Sequence, residues 1–212
     1  MTTTILALLT GAFMVADWAA TWSEQKRIRL VTKPAALAFL VLVAVALDPF
    51  DDTVRTWMVI GLVLSLLGDI FLLGTTKAMF AGGLVSFLLG HVAYVVAMQQ
   101  APRSVPWTLV GLAVVVLAIA TVGRRIVAGV GGLGDKELVP AVIAYLAVIS
   151  AMVVSAFGTT AAWAIVGALL FYASDATLAW NRFLEQRRFG PITVMVTYHL
   201  GQAGLVAWLV TG

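Results

Sequence analysis

Two aspartates, Asp69 and Asp175, interrupt otherwise apolar stretches, in the frames Ser65-Leu-Leu-Gly-Asp69 and Tyr172-Ala-Ser-Asp175. At membrane depth an ionised carboxylate costs about 2.5–3.5 kcal/mol on insertion scales, so an acid retained there marks a functional site by default. Neither has a Lys or Arg three or four positions away, so on a helix any cationic partner must come from a different helix. Two buried carboxyl groups that face each other form an acid/base pair. Desolvation and the like-charged neighbour let one hold its proton while the other is ionised, the division of labour used by glycosidases at acetal carbons. Other chemistries are poorly supplied. The chain has no cysteine, which excludes disulfides, thiolate catalysis and Cys-ligated metals. No serine stands in the strand–turn–helix elbow of a hydrolase. A catalytic zinc needs three protein ligands. Two His and two Asp can supply them in principle, but no spacing of the HxxxH kind occurs, and the expectation is no metal and no cofactor.

The rest of the chain has to hold these acids. Of its 212 residues 62% are hydrophobic and 11% charged, against about 25% charged in a soluble domain, so an all-α integral membrane protein is expected. Apolar runs long enough for roughly 30 Å of hydrocarbon lie near 3–22, 30–47, 56–74, 78–98, 105–122, 138–157, 160–181 and 191–210: eight transmembrane helices in a single domain covering 1–212. Asp48 to Asp52, Ala101 to Arg103, Gly129 to Gly134 and Gly190-Pro191 act as the breakers between them. The first run lacks a basic leader and contains Asp17, so it reads as a retained helix and not a cleaved signal. The odd-numbered loops carry 11 of the 13 Lys and Arg, and only Arg55 and Arg103 fall on the other side. The positive-inside rule puts those loops in the cytoplasm and both termini outside. The basic residues are thus topology determinants that also meet anionic lipid, not a nucleic-acid surface. His91 follows Asp69 by 22 residues and His199 follows Asp175 by 24, a hint of two weakly similar four-helix halves.

By the helical rise of ~1.5 Å per residue, Asp69 and Asp175 lie at similar depths, roughly 8 and 9 Å inside their helices' cytoplasmic ends. Asp17, Lys33 and His199 fall in the same slab, with His91 nearer the midplane. Ser65, Ser86, Tyr94, Tyr145, Tyr172, Ser174, Asn181, Tyr198 and Gln202 can line one polar cavity with them. Each has a plainer alternative. Asp17 and Lys33 can snorkel or pair with each other, a membrane His can bond between helices, and a Tyr can belong to an interfacial belt. Gly61-Ser65-Gly68, Gly82-Gly83-Ser86-Gly90 and Gly201-Gly204 are small-residue ladders that let helix backbones approach.

Five motifs in order make the chain recognisable: Lys33-Pro34 opening the second helix; Ser65-Leu-Leu-Gly68-Asp69; Gly83-x3-Phe87-x3-His91-x2-Tyr94; Gly167-x3-Phe171-x2-Ser174-Asp175-x2-Leu178-Ala179; and Tyr198-x3-Gln202. In these it resembles the YhhN family, bacterial relatives of the TMEM86 lysoplasmalogenases; the fifth and sixth helices match only in hydrophobic character. The resemblance implies hydrolysis of the vinyl ether bond of a lysoplasmalogen to a fatty aldehyde and glycerophosphoethanolamine or -choline. Asp69 and Asp175 are then the catalytic pair, with the acid and the base unassigned. Lys33 pairs with the lipid phosphate or tunes one Asp. His91, Tyr94, Asn181, Tyr198 and Gln202 position water and the glycerol hydroxyl, and Ser65, Ser174 and His199 complete the substrate site. The partners expected are a lysophospholipid and membrane lipid; the sequence sets no oligomeric state. Two other readings stand beside this one. A small transporter or lipid-binding protein would use the acids as a proton relay and would show Pro- or Gly-broken helices, whereas Pro34 and Pro191 read as helix starts. A metal-dependent lipid hydrolase of the alkaline ceramidase kind is the third.

Overall fold

The computed structural model describes residues 2–132 and 138–212; Lys136, one of the eleven basic residues of the odd-numbered loops, and Gly134, the end of the Gly129 to Gly134 breaker, lie outside them. Among the described residues eight helices are long and apolar enough to cross a membrane: α1 Thr2–Trp22, α2 Lys26–Ala46, α3 Asp52–Leu72, α4 Lys77–Gln100, α5 Val105–Gly132, α6 Val139–Gly158, α7 Ala162–Phe183 and α8 Gly190–Thr211. The all-helical expectation and the number of spans both hold. Three boundaries differ by four residues or more, each where charged residues or glycines read as loop. Asp51 caps α3, its carboxylate accepting from the backbone N–H of Thr53 (2.7 Å) and Val54 (2.9 Å). The helix therefore starts at Asp52, with acids where the macrodipole favours them. The α1–α2 connection is only Ser23 to Gln25, turned by Glu24 at φ 56°. Lys26, Arg27 and Arg29 belong to α2, since both residue types are good helix formers whose heads snorkel to the interface. Pro34 is consequently inside α2, not at its start; it deprives the Leu30 carbonyl of its helical donor, yet α2 continues through it. Helix α5 does not stop at 122 but passes through a π-helical turn, Ile119–Gly123, and runs on from Arg124 to Gly132.

Most consecutive helices pack as hairpins, α3 on α4 and α7 on α8 most extensively; α4 packs on α6 and not on α5, and α8 also touches α1, α2 and α3. Helix α5 rides outside on α6. Trp208, Tyr94, Phe171, Leu37, Met58 and Leu62 form the fully buried centre, while Leu8, Val31, Leu109 and Leu117 face outward, as lipid-facing side chains do. Lipid tails are as apolar as Leu, so helices associate through close packing. Ser86 donates to the Leu64 carbonyl at 2.6 Å across α3–α4. Across α7–α8 a Cβ on Gly167 would stand 2.7 Å from the Leu205 nitrogen and 2.9 Å from the Gly201 carbonyl oxygen. Those neighbours are backbone and cannot turn aside. Gly167→Ala is expected to cost about 1–3 kcal/mol, the usual penalty of overpacking, read as a lower unfolding temperature in detergent. An unchanged unfolding temperature would contradict so close an approach.

Candidate active site

Helices α3 and α7 do not pack closely on each other; instead both line a cavity of about 780 Å³, with α2, α4, α5, α6 and α8 contributing. Exposed Thr75, Thr76, Lys77, Arg182 and Gln186 surround its mouth, at the end of the bundle that carries the basic loops. Leu84, Val122, Ile126, Leu146, Ile149 and Met195 give it apolar walls, and both Asp69 and Asp175 line it. A volume of this size is typical of a small-molecule site.

Asp69 comes from α3, three residues before its last residue, and is only 1% exposed. Lys33 Nζ of α2 approaches its Oδ1 at 2.9 Å, and the Tyr198 hydroxyl of α8 donates to Oδ2 at 2.8 Å. Oδ1 thus has an ammonium group beside it and Oδ2 a hydroxyl donor, the ionic pairing that a buried charge requires. Asp175 comes from α7, eight residues before its end, so the two acids sit at less equal distances from their helix ends than the sequence suggested. The α3 end lies earlier and the α7 end later than the apolar runs imply. The Tyr145 hydroxyl of α6 donates to Asp175 Oδ2 at 2.5 Å, and His91 Nε2 of α4 lies 3.7 Å from the same oxygen. The other His91 nitrogen, Nδ1, is 2.6 Å from the Phe87 carbonyl oxygen. A carbonyl only accepts, so Nδ1 carries the hydrogen and the neutral ring presents a lone pair at Nε2. Phe87 joins the two sides of the site: its ring lies edge-on to Tyr198, centroids 5.8 Å apart.

Of the other candidates, Lys33, Ser174, Asn181 and Tyr198 line the cavity, whereas Ser65, His91, Tyr94, His199 and Gln202 stand behind its wall. Ser174 donates to the Val194 carbonyl at 3.0 Å and pins α7 to α8. Asn181 Oδ1 accepts from the Arg187 backbone N–H at 3.1 Å and holds the α7–α8 loop. Tyr94 donates to Gln202 Oε1 at 2.7 Å and lies 3.4 Å from Ser65 Oγ. His199 Nδ1 accepts from the Trp18 indole at 2.9 Å. Asp17 pairs with Arg29 and Thr32, at 3.4 and 3.1 Å, and not with Lys33. The mouth brings in Arg29 and Arg182, which the charge pattern marks as topology determinants that also meet anionic lipid and not as cavity residues. Tyr145 was one of many polar candidates, and nothing in its own helix singled it out. Among the described residues no three His, Asp or Glu side chains gather as a metal site requires.

The YhhN family model matches residues 28–209. Lysoplasmalogenases of Mycobacterium bovis and Mycobacterium tuberculosis are each 32% identical over 154 residues, 71% of this chain. The human lysoplasmalogenase TMEM86B is 32% identical over 143 residues, 66% of this chain. In each case the match spans 58% of the relative's own length. No solved structure gives a significant match.

Proposed function

This chain belongs to the YhhN family, and on that footing we propose that it is a membrane hydrolase of vinyl ether lysolipids, with Asp175 as the acid and Asp69 as the anion and base. The observation that carries the proposal is the contrast between the two carboxyl groups across one cavity. Asp69 has a cation on one oxygen and a hydroxyl donor on the other, an arrangement that suits a carboxylate. Asp175 Oδ2 instead takes the Tyr145 hydroxyl and lies 3.7 Å from the unprotonated Nε2 of His91, a neighbour without charge, which suits a carboxyl group that keeps its proton.

The chemistry then balances. The Asp175 carboxyl protonates the β-carbon of the vinyl ether, leaving an oxocarbenium ion opposite the Asp69 carboxylate. Asp69 takes a proton from the water that adds to the cationic carbon, giving a hemiacetal. In its collapse Asp69 returns that proton to the glycerol oxygen as the C–O bond breaks. Asp175 meanwhile recovers a proton from the hemiacetal hydroxyl, and a fatty aldehyde and a glycerophospho-base leave. Tyr145 and Tyr198 orient the acids, each by one hydroxyl. Tyr145→Phe removes the hydroxyl donor on Asp175 and is expected to lower kcat/KM about tenfold, the worth of one hydrogen bond to a charged or proton-transferring group. Steady-state assay of aldehyde release reads this, and unchanged kcat/KM would remove Tyr145 from the site. The basic end of the bundle, in this reading, faces the cytoplasm, and the lysolipid enters from that leaflet.

The experiment that tests the function offers the purified protein vinyl ether, alkyl ether and acyl lysolipids of one chain length and identifies products by mass spectrometry. Aldehyde from the vinyl ether alone is expected. Turnover of none of them would favour the transport or binding reading, for which the π-helical turn of α5 at the cavity wall, through Val122 and Gly123, is the supporting feature.

A further inference from the structure

The cavity separates its charges. Among the described residues its lining acids are Asp69 and Asp175, and Asp69 is already matched by Lys33, whose side chain is 8% exposed and engaged at 2.9 Å. The cations nearer the mouth are Arg29, Lys77 and Arg182. Arg29 directs only its Nε toward Asp17, at 3.4 Å, which leaves most of a five-donor fork for other acceptors. The Arg182 guanidinium lies over the Phe80 ring, 4.8 Å from its centre, a cation–π contact that does not use its hydrogens. Lys77 begins α4 at the same mouth, where the helix dipole is positive.

We propose that Arg29 and Arg182 bind the phosphodiester of a single-chain lysolipid headgroup at the cavity mouth, with Lys77 adding only to the positive field there, while Lys33 serves Asp69 alone. Helix geometry supplies the ruler. Arg29 is one turn from Lys33 on α2, about 6 Å along the axis, and Arg182 is two turns from Asp175 on α7, about 10 Å. In a glycerophospholipid the phosphorus and the vinyl carbon that is protonated are seven bonds apart, a chain that spans about 8 Å when extended, at the reach of ~3.5 Å per three bonds. A phosphate held by the guanidinium groups thus delivers the vinyl ether to the depth of the two acids, and the tail continues along the apolar wall of Leu84, Leu146 and Ile149. This inference rests on the vinyl ether reading for its ligand but concerns binding, so it is tested without turnover.

The test compares a non-hydrolysable alkyl ether lysophosphatidylethanolamine with the alkylglycerol of equal chain length, by calorimetric titration of the purified full-length protein in non-ionic detergent. Each guanidinium–phosphate contact is expected to contribute about tenfold in affinity, so the wild type prefers the phosphorylated lipid by about a hundredfold. R182Q, on an exposed side chain, is expected to reduce the preference about tenfold, and R29Q/R182Q to bring it near one. R124Q removes an exposed charge from α5 that does not line the cavity and is expected to keep the full preference. Equal affinity of the wild type for the two lipids, or a preference that survives R182Q, would overturn the proposal. So would inorganic phosphate binding as tightly as the phosphorylated lipid, which would make the mouth a free-anion site. Preference without hydrolysis of any vinyl ether would instead sink the catalytic reading and leave the headgroup site standing.

Discussion

Asp175→Asn is expected to lower the rate of aldehyde release from a vinyl ether lysolipid by about 10²- to 10⁴-fold, the range attributed to a positioned general acid. The substitution removes the proton and little else. The asparagine carbonyl can still accept from Tyr145, the residue is of the same size, and the site keeps its neighbours His91 and Phe87. The loss should therefore appear in kcat, with binding of an alkyl ether analogue retained. Asp69→Asn should lose at least as much, because it removes both the anion opposite the oxocarbenium ion and the base that accepts the water's proton. It also leaves Lys33 without its carboxylate. Release of labelled aldehyde by the single variants checks both statements, and full activity in either excludes that acid from the chemistry.

Lys33→Met should produce the largest loss of stability. Lys33 and Asp69 are buried, and their contact at 2.9 Å joins α2 to α3. Removing one member of a buried ion pair leaves the other as an uncompensated charge and costs about 3–5 kcal/mol. Replacing both with uncharged groups removes the penalty together with the attraction. Lys33→Met/Asp69→Asn should therefore unfold at a higher temperature than Lys33→Met alone, a non-additivity expected only of residues in contact. The cycle is measured by thermal unfolding in detergent. Additive losses would mean that the two charges do not depend on each other.

Much of this was legible because a charge in hydrocarbon is rare and costly. Asp69, Asp175 and Lys33 stood out for that reason, and they are the residues around which the cavity forms. The spans were legible for the complementary reason, that twenty apolar residues in a row have few other uses. Partnerships between helices were not. In a soluble helix the polar face shows which way it turns, but α4 and α8 are apolar nearly all round, so spacing could not tell whether His199 faces the cavity or Trp18. It faces Trp18. Tyr145 was hidden likewise, since its partner Asp175 is 30 residues away on another helix. Arg29 and Arg182 were hidden by the opposite fault. Basic residues at helix ends are so well accounted for by topology that a second use leaves no mark in the sequence. The helix ends erred for a related reason: hydropathy marks where the chain leaves the apolar region, whereas capping and propensity, as at Asp51 and Lys26, decide where the helix stops.

The central claim is that a carboxyl proton is delivered to a vinyl ether carbon in this cavity, and hydrolysis in deuterium oxide tests it most directly. The purified protein is given a vinyl ether lysolipid in D₂O, and the aldehyde is trapped at once and weighed by mass spectrometry. The account predicts one deuterium on the carbon next to the aldehyde, with label formation lost in Asp175→Asn. Unlabelled aldehyde from the wild type, or labelled aldehyde from Asp175→Asn at the wild-type rate, would contradict it.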